Sequence, residues 1–277
     1  MRNNQRRVSG APRPQASLST PASPELAYAT PTEFVELPSR GEFYPEDHPL
    51  HKQETVEIRF MTAKDEDILS STALLKKGLA IDRLLESLLT LDIDPKTLFL
   101  GDRGAILLAA RISGYGSDYS FSYRCPECAN TSEIEFDLNR GILSGKCFNE
   151  KFLHDEKIVH NLDTSTLDVT LPTSGVTVGL TPVDGTKEKQ LFADNKVNDR
   201  SPITSILSTF IVKVNDNTDY PYVMQFIETM PAKDSKYLRD LYPKLVPSIR
   251  LLHDFTCKEC FLMKEVEVPL SADFFWP

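Results

Sequence analysis

Two pairs of cysteines constrain the fold of this chain more than any other feature. Cys125 and Cys128 form one C-x-x-C pair, Cys257 and Cys260 form the other, and the two pairs lie 132 residues apart. A compact zinc ribbon separates its pairs by only about 12–20 residues, so a shared site requires the long insertion to fold back on itself. The fifth cysteine, Cys147, has no such neighbour. Paired C-x-x-C spacing within an odd total indicates a reducing compartment and a metal site rather than disulfides.

The residues around the two pairs repeat in the same register. Residues 123–138 read YRCPECANTSEIEFDL, and residues 255–270 read FTCKECFLMKEVEVPL. In each copy an aromatic residue precedes the first cysteine by two positions, and a Glu-apolar-Glu-apolar alternation follows the second. Such alternation predicts a strand, a cysteine knuckle and a return strand. Two knuckles that face each other place four thiolates around one zinc ion.

The sequence therefore predicts one structural zinc ion per chain, held by Cys125, Cys128, Cys257 and Cys260. Four thiolates close the coordination shell of zinc, whereas a catalytic zinc requires an open position. A thioredoxin-type redox pair would lie at a strand–helix junction, but each pair here lies between predicted strands. The alternative that stays open is a metal-free cluster of four reduced thiols.

Apolar periodicity predicts an α+β fold, with helices in two blocks and a β-rich, zinc-ribbon-like element built from the two separated knuckles. Thr62 is the predicted N-cap of the first helix, Gly78 its stop, and Asp102 the predicted cap of the third. The predicted helices are residues 63–78, 82–91, 102–114, 187–195, 202–212, 221–229 and 231–241, and the predicted strands outside the knuckles are residues 56–61 and a hairpin over 166–181.

We expect three regions along the chain. Residues 1–33 form a flexible, basic arm rich in Pro and Ser, residues 34–116 form an extended strap followed by a helical block, and residues 117–277 form the zinc-clasped region with the inserted hairpin and helices. Residues 1–32 of the arm contain a single acidic residue, Glu25, and four arginines: Arg2, Arg6, Arg7 and Arg13. With a net charge of −9 overall, residues 33–277 therefore carry −12. The arm is either a solvated tail or a segment that orders on a partner.

The chain ends in three consecutive aromatic residues, Phe274, Phe275 and Trp276, followed by a proline. Such a cluster docks either on the protein's own core or on a partner. We treat it, together with the arm arginines, as a predicted partner-binding feature, and the intramolecular alternative stays open.

No sequence motif indicates an enzyme. The chain contains no G-x-S-x-G, S-x-x-K, Walker A or G-x-G-x-x-G pattern. Its apolar runs fall short of the roughly 20 residues that a membrane helix needs, and its basic first residues are not followed by the apolar stretch of a signal peptide. We therefore predict a non-enzymatic protein with no small-molecule substrate and no membrane segment.

Several segments resemble baseplate proteins of T4-like contractile-tailed phages, a family of baseplate hub and hub-assembly proteins. The resemblance covers about residues 35–140 and rests on LPSRGEFYPEDHPL at 37–50, VEIRFMTAKDEDILSSTALLKKG at 56–78, DRGAILLAARISGYG at 102–116, and the CPEC knuckle with the following FDL at 136–138. It implies a structural or assembly subunit in the virion tail baseplate, made in the host cytoplasm and contacting other baseplate and tail subunits. The family is not catalytic, so the resemblance implies no active-site residues.

The alternative from another functional class is a zinc-ribbon nucleic-acid-binding protein whose arginine-rich arm contacts phosphate groups. The knuckles and the arm favour this hypothesis. The acidic body and the scarcity of basic residues near the cysteines disfavour it, because nucleic-acid-binding surfaces are usually basic.

Overall fold

A short antiparallel hairpin opens the described part of the chain. In the computed structural model, β1 (Thr32–Glu36) pairs with β2 (Thr55–Arg59), and the alternating side chains bury Val35 against Val56. The structure describes residues 30–140, 157–161, 163–197, 202–268 and 272–275, and everything from Pro31 onward belongs to one compact unit. The arm arginines, Cys147 and Trp276 lie outside the described residues. Within those residues, no helix has the length and apolarity needed to cross a bilayer.

The first helical block follows the hairpin directly. It contains α1 (Ala63–Ser70), α2 (Thr72–Lys77), α3 (Ala80–Leu88) and α4 (Leu100–Tyr115). Gly78 ends α2 with a φ of 66°, in the left-handed conformation that glycine adopts without strain, as predicted. The prediction of one continuous helix up to Gly78 is wrong, because Ser71 is extended and separates α1 from α2. Serine competes for backbone hydrogen bonds and favours such helix ends.

Asp102 has a different role from the predicted helix cap. Helix α4 begins at Leu100, two residues earlier, and Asp102 lies fully buried in its first turn. Its carboxylate accepts hydrogen bonds from the Ser39 backbone N–H at 3.0 Å, the Ser39 hydroxyl at 2.6 Å and the Tyr44 hydroxyl at 2.8 Å. Burial raises the pKa of Asp102, although the donors from Ser39 and Tyr44 oppose the shift. The Asp102 carboxyl therefore joins α4 to the extended segment that contains Ser39 and Tyr44.

A second buried carboxylate fastens α1 to β2. Asp65 accepts a bidentate pair of hydrogen bonds from Arg59, both at 2.8 Å, and two more from the backbone N–H and hydroxyl of Thr62. Thr62 stands immediately before α1, as the sequence predicts, and the two residues form a capping box. Burial alone raises the pKa of Asp65, but the hydrogen bonds from Arg59 and Thr62 outweigh it and lower the pKa to about 2.

The insertion between the knuckles contains a four-stranded antiparallel sheet in the order β5-β6-β7-β8, formed by Ile158–Asn161, Thr166–Thr170, Thr177–Leu180 and Ile211–Val214. The predicted hairpin is confirmed: Thr170 pairs with Thr177 across a turn in which Gly175 has a φ of 67°. Strands β5 and β8, which extend this hairpin to a four-stranded sheet, were not predicted. The predicted helix through Val212 ends at Phe210, and the β-branched run that follows becomes β8.

The described residues of the insertion also form four helices: α5 (Gly185–Val197), α6 (Pro202–Phe210), α7 (Tyr220–Thr229) and α8 (Ala232–Leu245). Helix α8 extends past the predicted end at Leu241 and contains Pro243. In its first turn, the buried carboxylate of Asp234 accepts hydrogen bonds from the backbone N–H groups of Thr173 and Ser174, each at 2.9 Å. This contact joins the helix to the β6–β7 turn.

The C-terminal aromatic residues that the structure describes pack on the protein itself. Phe274 and Phe275 lie in a 3₁₀ turn (Ala272–Phe275), each only 1% exposed, and both join the main apolar core. The buried Arg111 donates hydrogen bonds to the backbone carbonyls of Phe274, Gly116 and Asp118, which holds the turn against the end of α4. This placement corrects the partner-binding hypothesis for the two phenylalanines in favour of the intramolecular alternative.

We expect Asp65→Asn to reduce the free energy of unfolding by about 2 kcal/mol near pH 7, because an amide cannot replace the buried carboxylate that pairs with Arg59. The folded-state pKa of Asp65, about 2, lies below its ordinary value of 3.8. The stabilisation is therefore complete above about pH 4 and disappears as the pH falls toward 2. Urea unfolding of the natural protein and the variant at several pH values measures the difference between their free energies of unfolding. This difference is expected to become smaller as the pH falls. The matched control is Asp67→Asn, on the exposed side of the same helix. Equal free energies of unfolding for the two proteins, or a difference that does not change with pH, would contradict the stabilising role of the Asp65 carboxylate.

Candidate metal centre

Each cysteine pair lies at the tip of an antiparallel hairpin, as the sequence repeat predicts. The first hairpin is β3 (Asp118–Arg124) with β4 (Thr131–Asp137), and the second is β9 (Leu252–Thr256) with β10 (Met263–Glu267). The two hairpins form separate two-stranded sheets. They are therefore joined by side chains and not by strand pairing.

The two knuckles have the same backbone geometry. The N–H of Cys125 donates to the carbonyl of Asn130 at 2.8 Å, and the N–H of Ala129 donates back to the carbonyl of Cys125 at 2.9 Å. The second knuckle repeats both bonds 132 positions later, with distances of 2.9 and 3.1 Å. Ala129 and Phe261 occupy equivalent positions and have φ values of 58° and 57°. This left-handed conformation disfavours non-glycine residues, so the knuckle geometry is imposed twice against local preference.

A small apolar cluster packs the two hairpins together. It buries Cys125, Ile134, Phe255, Cys257 and Val266, and it is distinct from the main core. The two aromatic residues that precede the cysteine pairs meet here, with the rings of Tyr123 and Phe255 edge to face at 4.8 Å between centroids. The repeated sequence therefore gives both hairpins equivalent apolar side chains, which pack in one cluster with the buried cysteines.

The four cysteine sulfurs converge to within 4.8 Å of one another. Cys125 Sγ lies 3.6 Å from Cys260 Sγ, and Cys128 Sγ lies 3.5 Å from Cys257 Sγ. A tetrahedral site with Zn–S bonds of about 2.3 Å has sulfurs about 3.8 Å apart, whereas a disulfide brings them to about 2.05 Å. The arrangement therefore fits four free cysteines around one tetrahedral cation.

Backbone N–H groups and neighbouring thiols shift the pKa values of the cysteine thiols in opposite directions. Backbone N–H groups of Cys260 and Glu259 lower the pKa of the Cys257 thiol to about 6. The backbone N–H of Leu262 acts in the same direction on Cys260, but desolvation and the neighbouring thiols outweigh it and raise the pKa of Cys260 to about 12. Four thiolates at this separation repel one another, and a bound divalent cation removes that repulsion and keeps all four deprotonated.

The cluster is shielded from one side only. Cys125 and Cys257 are 1% and 0% exposed, Cys260 is partly exposed and Cys128 is exposed. The sequence predicted all four residues of this cluster and their register. It did not predict the left-handed Ala129 and Phe261, because neither position carries the glycine that signals such a turn. The predicted partner-binding arginines and Trp276 lie outside the described residues.

A model of the protein family described as T4 bacteriophage base plate protein matches residues 31–276. The match contains both hairpins and all four cysteines of the cluster. Comparison with curated protein sequences finds no match, and comparison with solved structures finds none either.

We expect protein purified without chelator to contain one zinc ion per chain by plasma mass spectrometry. Chelation is expected to lower the melting temperature by about 10 °C, because the metal's binding free energy contributes to stability and about 4 kcal/mol corresponds to such a shift. Cys128→Ser is expected to lower the zinc content, whereas Cys147→Ser, outside the cluster, leaves it unchanged. Near-zero zinc with all five cysteine thiols titratable and an intact fold would contradict the metal site.

Proposed function

Because the chain belongs to the T4 bacteriophage base plate protein family, we propose that it is a non-enzymatic structural or assembly subunit of the baseplate hub, held together by one structural zinc ion. The family assignment carries the proposal. Membership implies a location in the virion tail and contact with other tail and baseplate subunits. We assign the subunit more specifically to the hub of the baseplate. The resemblance at residues 37–50, 56–78 and 102–116 supports this assignment.

The geometry of the chain supports a structural role. The cysteine cluster fits a closed, four-thiolate zinc site, and such sites stabilise folds without providing a position for substrate. Asp65, Asp102 and Asp234 are fully buried and satisfied by hydrogen bonds that join separate segments.

Synthesis in the reducing host cytoplasm is part of the proposal. Zinc–thiolate sites persist in reducing compartments, where disulfides do not. The four cluster residues are free cysteines at distances that fit a metal, which agrees with this compartment.

The hairpin surfaces disfavour the nucleic-acid alternative. The outward faces of the two return strands carry exposed carboxylates at equivalent positions, Glu133 and Glu135 in β4 and Glu265 and Glu267 in β10. Asp254 stands directly opposite Glu265 in the register and adds to the negative charge. A ribbon that tracks phosphate groups would present the opposite charge.

Quantitative mass spectrometry of purified particles, tail intermediates and the parent lysate tests the proposed function. A fixed copy number in particles identifies a permanent baseplate subunit, and presence in intermediates alone identifies an assembly factor. Cross-linking in the same samples is expected to connect the chain to subunits on the central axis. Cross-links only to peripheral subunits contradict the hub assignment, and absence from both particles and intermediates contradicts the function as a whole.

A further inference from the structure

The sulfur contacts of the cysteine cluster point to a second state, in which the same four cysteines are covalently linked. Two contacts cross from one knuckle to the other, Cys125 to Cys260 at 3.6 Å and Cys128 to Cys257 at 3.5 Å. We propose that this cluster is an oxidation site in which metal-free protein forms two cross-knuckle disulfides, Cys125–Cys260 and Cys128–Cys257. The inference rests on the proposed virion function only for its biological setting, and its chemistry concerns the cysteines alone.

Exposure determines which sulfur reacts first. Each contacting pair joins one buried sulfur to one that solvent reaches: Cys128 is exposed and contacts the buried Cys257, and Cys260 is partly exposed and contacts the buried Cys125. A soluble oxidant therefore meets Cys128 and Cys260 before it meets their partners. The sulfur in contact with each of these two residues belongs to the opposite hairpin.

A low-molecular-weight disulfide such as oxidised glutathione supplies the oxidant. The Cys128 thiolate attacks one glutathione sulfur, the glutathione S–S bond breaks, and one glutathione leaves as a thiolate. The Cys257 thiolate then attacks Cys128 in the mixed disulfide and displaces the second glutathione. Two cysteine thiols lose two electrons and two protons in total, and the oxidant becomes two molecules of reduced glutathione. Cys260 and Cys125 react in the same way.

A cross-knuckle disulfide connects the two hairpins in the same way as a shared metal ion. The two contacts span 135 and 129 positions of sequence, so either disulfide ties the two ends of the insertion together as a shared zinc ion would. A disulfide within one C-x-x-C pair closes only the knuckle and leaves the hairpins unconnected. Cross-links that close long loops also restrict the unfolded chain more than short ones do.

The setting follows from the proposed function. A baseplate subunit folds in a reducing cytoplasm and then works outside the cell after lysis, where disulfides persist. Zinc joins the two hairpins in the reducing cytoplasm. If the metal is lost outside the cell, the cross-knuckle disulfides join them instead.

The test uses the full-length chain with Cys147→Ser, which leaves only the four cluster cysteines. The protein is stripped of metal with a chelator, oxidised with glutathione disulfide, digested in acid and mapped by mass spectrometry without reduction. We expect linked peptides joining Cys125 to Cys260 and Cys128 to Cys257. Linkages within the pairs, or four unmodified thiols, overturn the inference.

Two further readouts keep the inference distinct from the metal assignment. The oxidised protein is expected to melt at the same temperature with or without chelator, and dithiothreitol restores the sensitivity to chelator. Cross-knuckle linkages in a protein that never binds zinc support the oxidation site and overturn the structural zinc. One zinc per chain together with within-pair linkages supports the zinc and overturns the oxidation site.

Discussion

The convergence of four cysteine sulfurs is the constraint on which the rest of the structure depends. Two hairpins that share no strand pairing meet through a small apolar cluster, through the edge-to-face contact of Phe136 with His253, and through sulfurs within 4.8 Å of one another. The insertion between them contains a four-stranded sheet and four described helices. A cation at the sulfurs adds a direct connection between the two ends of this insertion, whose strands and helices also belong to the main apolar core. The matched sequence frames around the knuckles make the two halves geometrically equivalent.

Buried polar side chains make the remaining long-range connections. Asp102 joins the strap to α4, Asp234 joins α8 to the β6–β7 turn, and Arg111 joins the C-terminal turn to the end of α4. In each case a charged group is removed from water and satisfied by several hydrogen bonds, many of them with backbone groups. Such a group is costly to bury without its partners. The connections therefore specify one arrangement of the segments.

Features marked by a local or repeated sequence pattern were predictable, and contacts between distant residues that share no such pattern were not. Thr62 and Gly78 mark helix ends through their own backbone preferences, and the alternation around Gly175 predicts its hairpin. The sulfur ligands were predictable because their frame repeats in register. Asp102 was misread as a helix cap, since its partner Ser39 is 63 positions away and no local pattern records it. Ile211 was assigned to a helix because its place at the sheet edge depends on pairing with Leu180.

Membership of a baseplate family, a cluster of four cysteines that could hold a metal ion, and segments joined by buried polar groups agree with a structural role. Zinc K-edge X-ray absorption of the full-length protein, purified without added metal or chelator, tests the four-sulfur metal site. A single shell of four sulfurs at about 2.3 Å from the zinc is expected. A shell containing nitrogen or oxygen ligands, or the absence of a zinc edge, would contradict it.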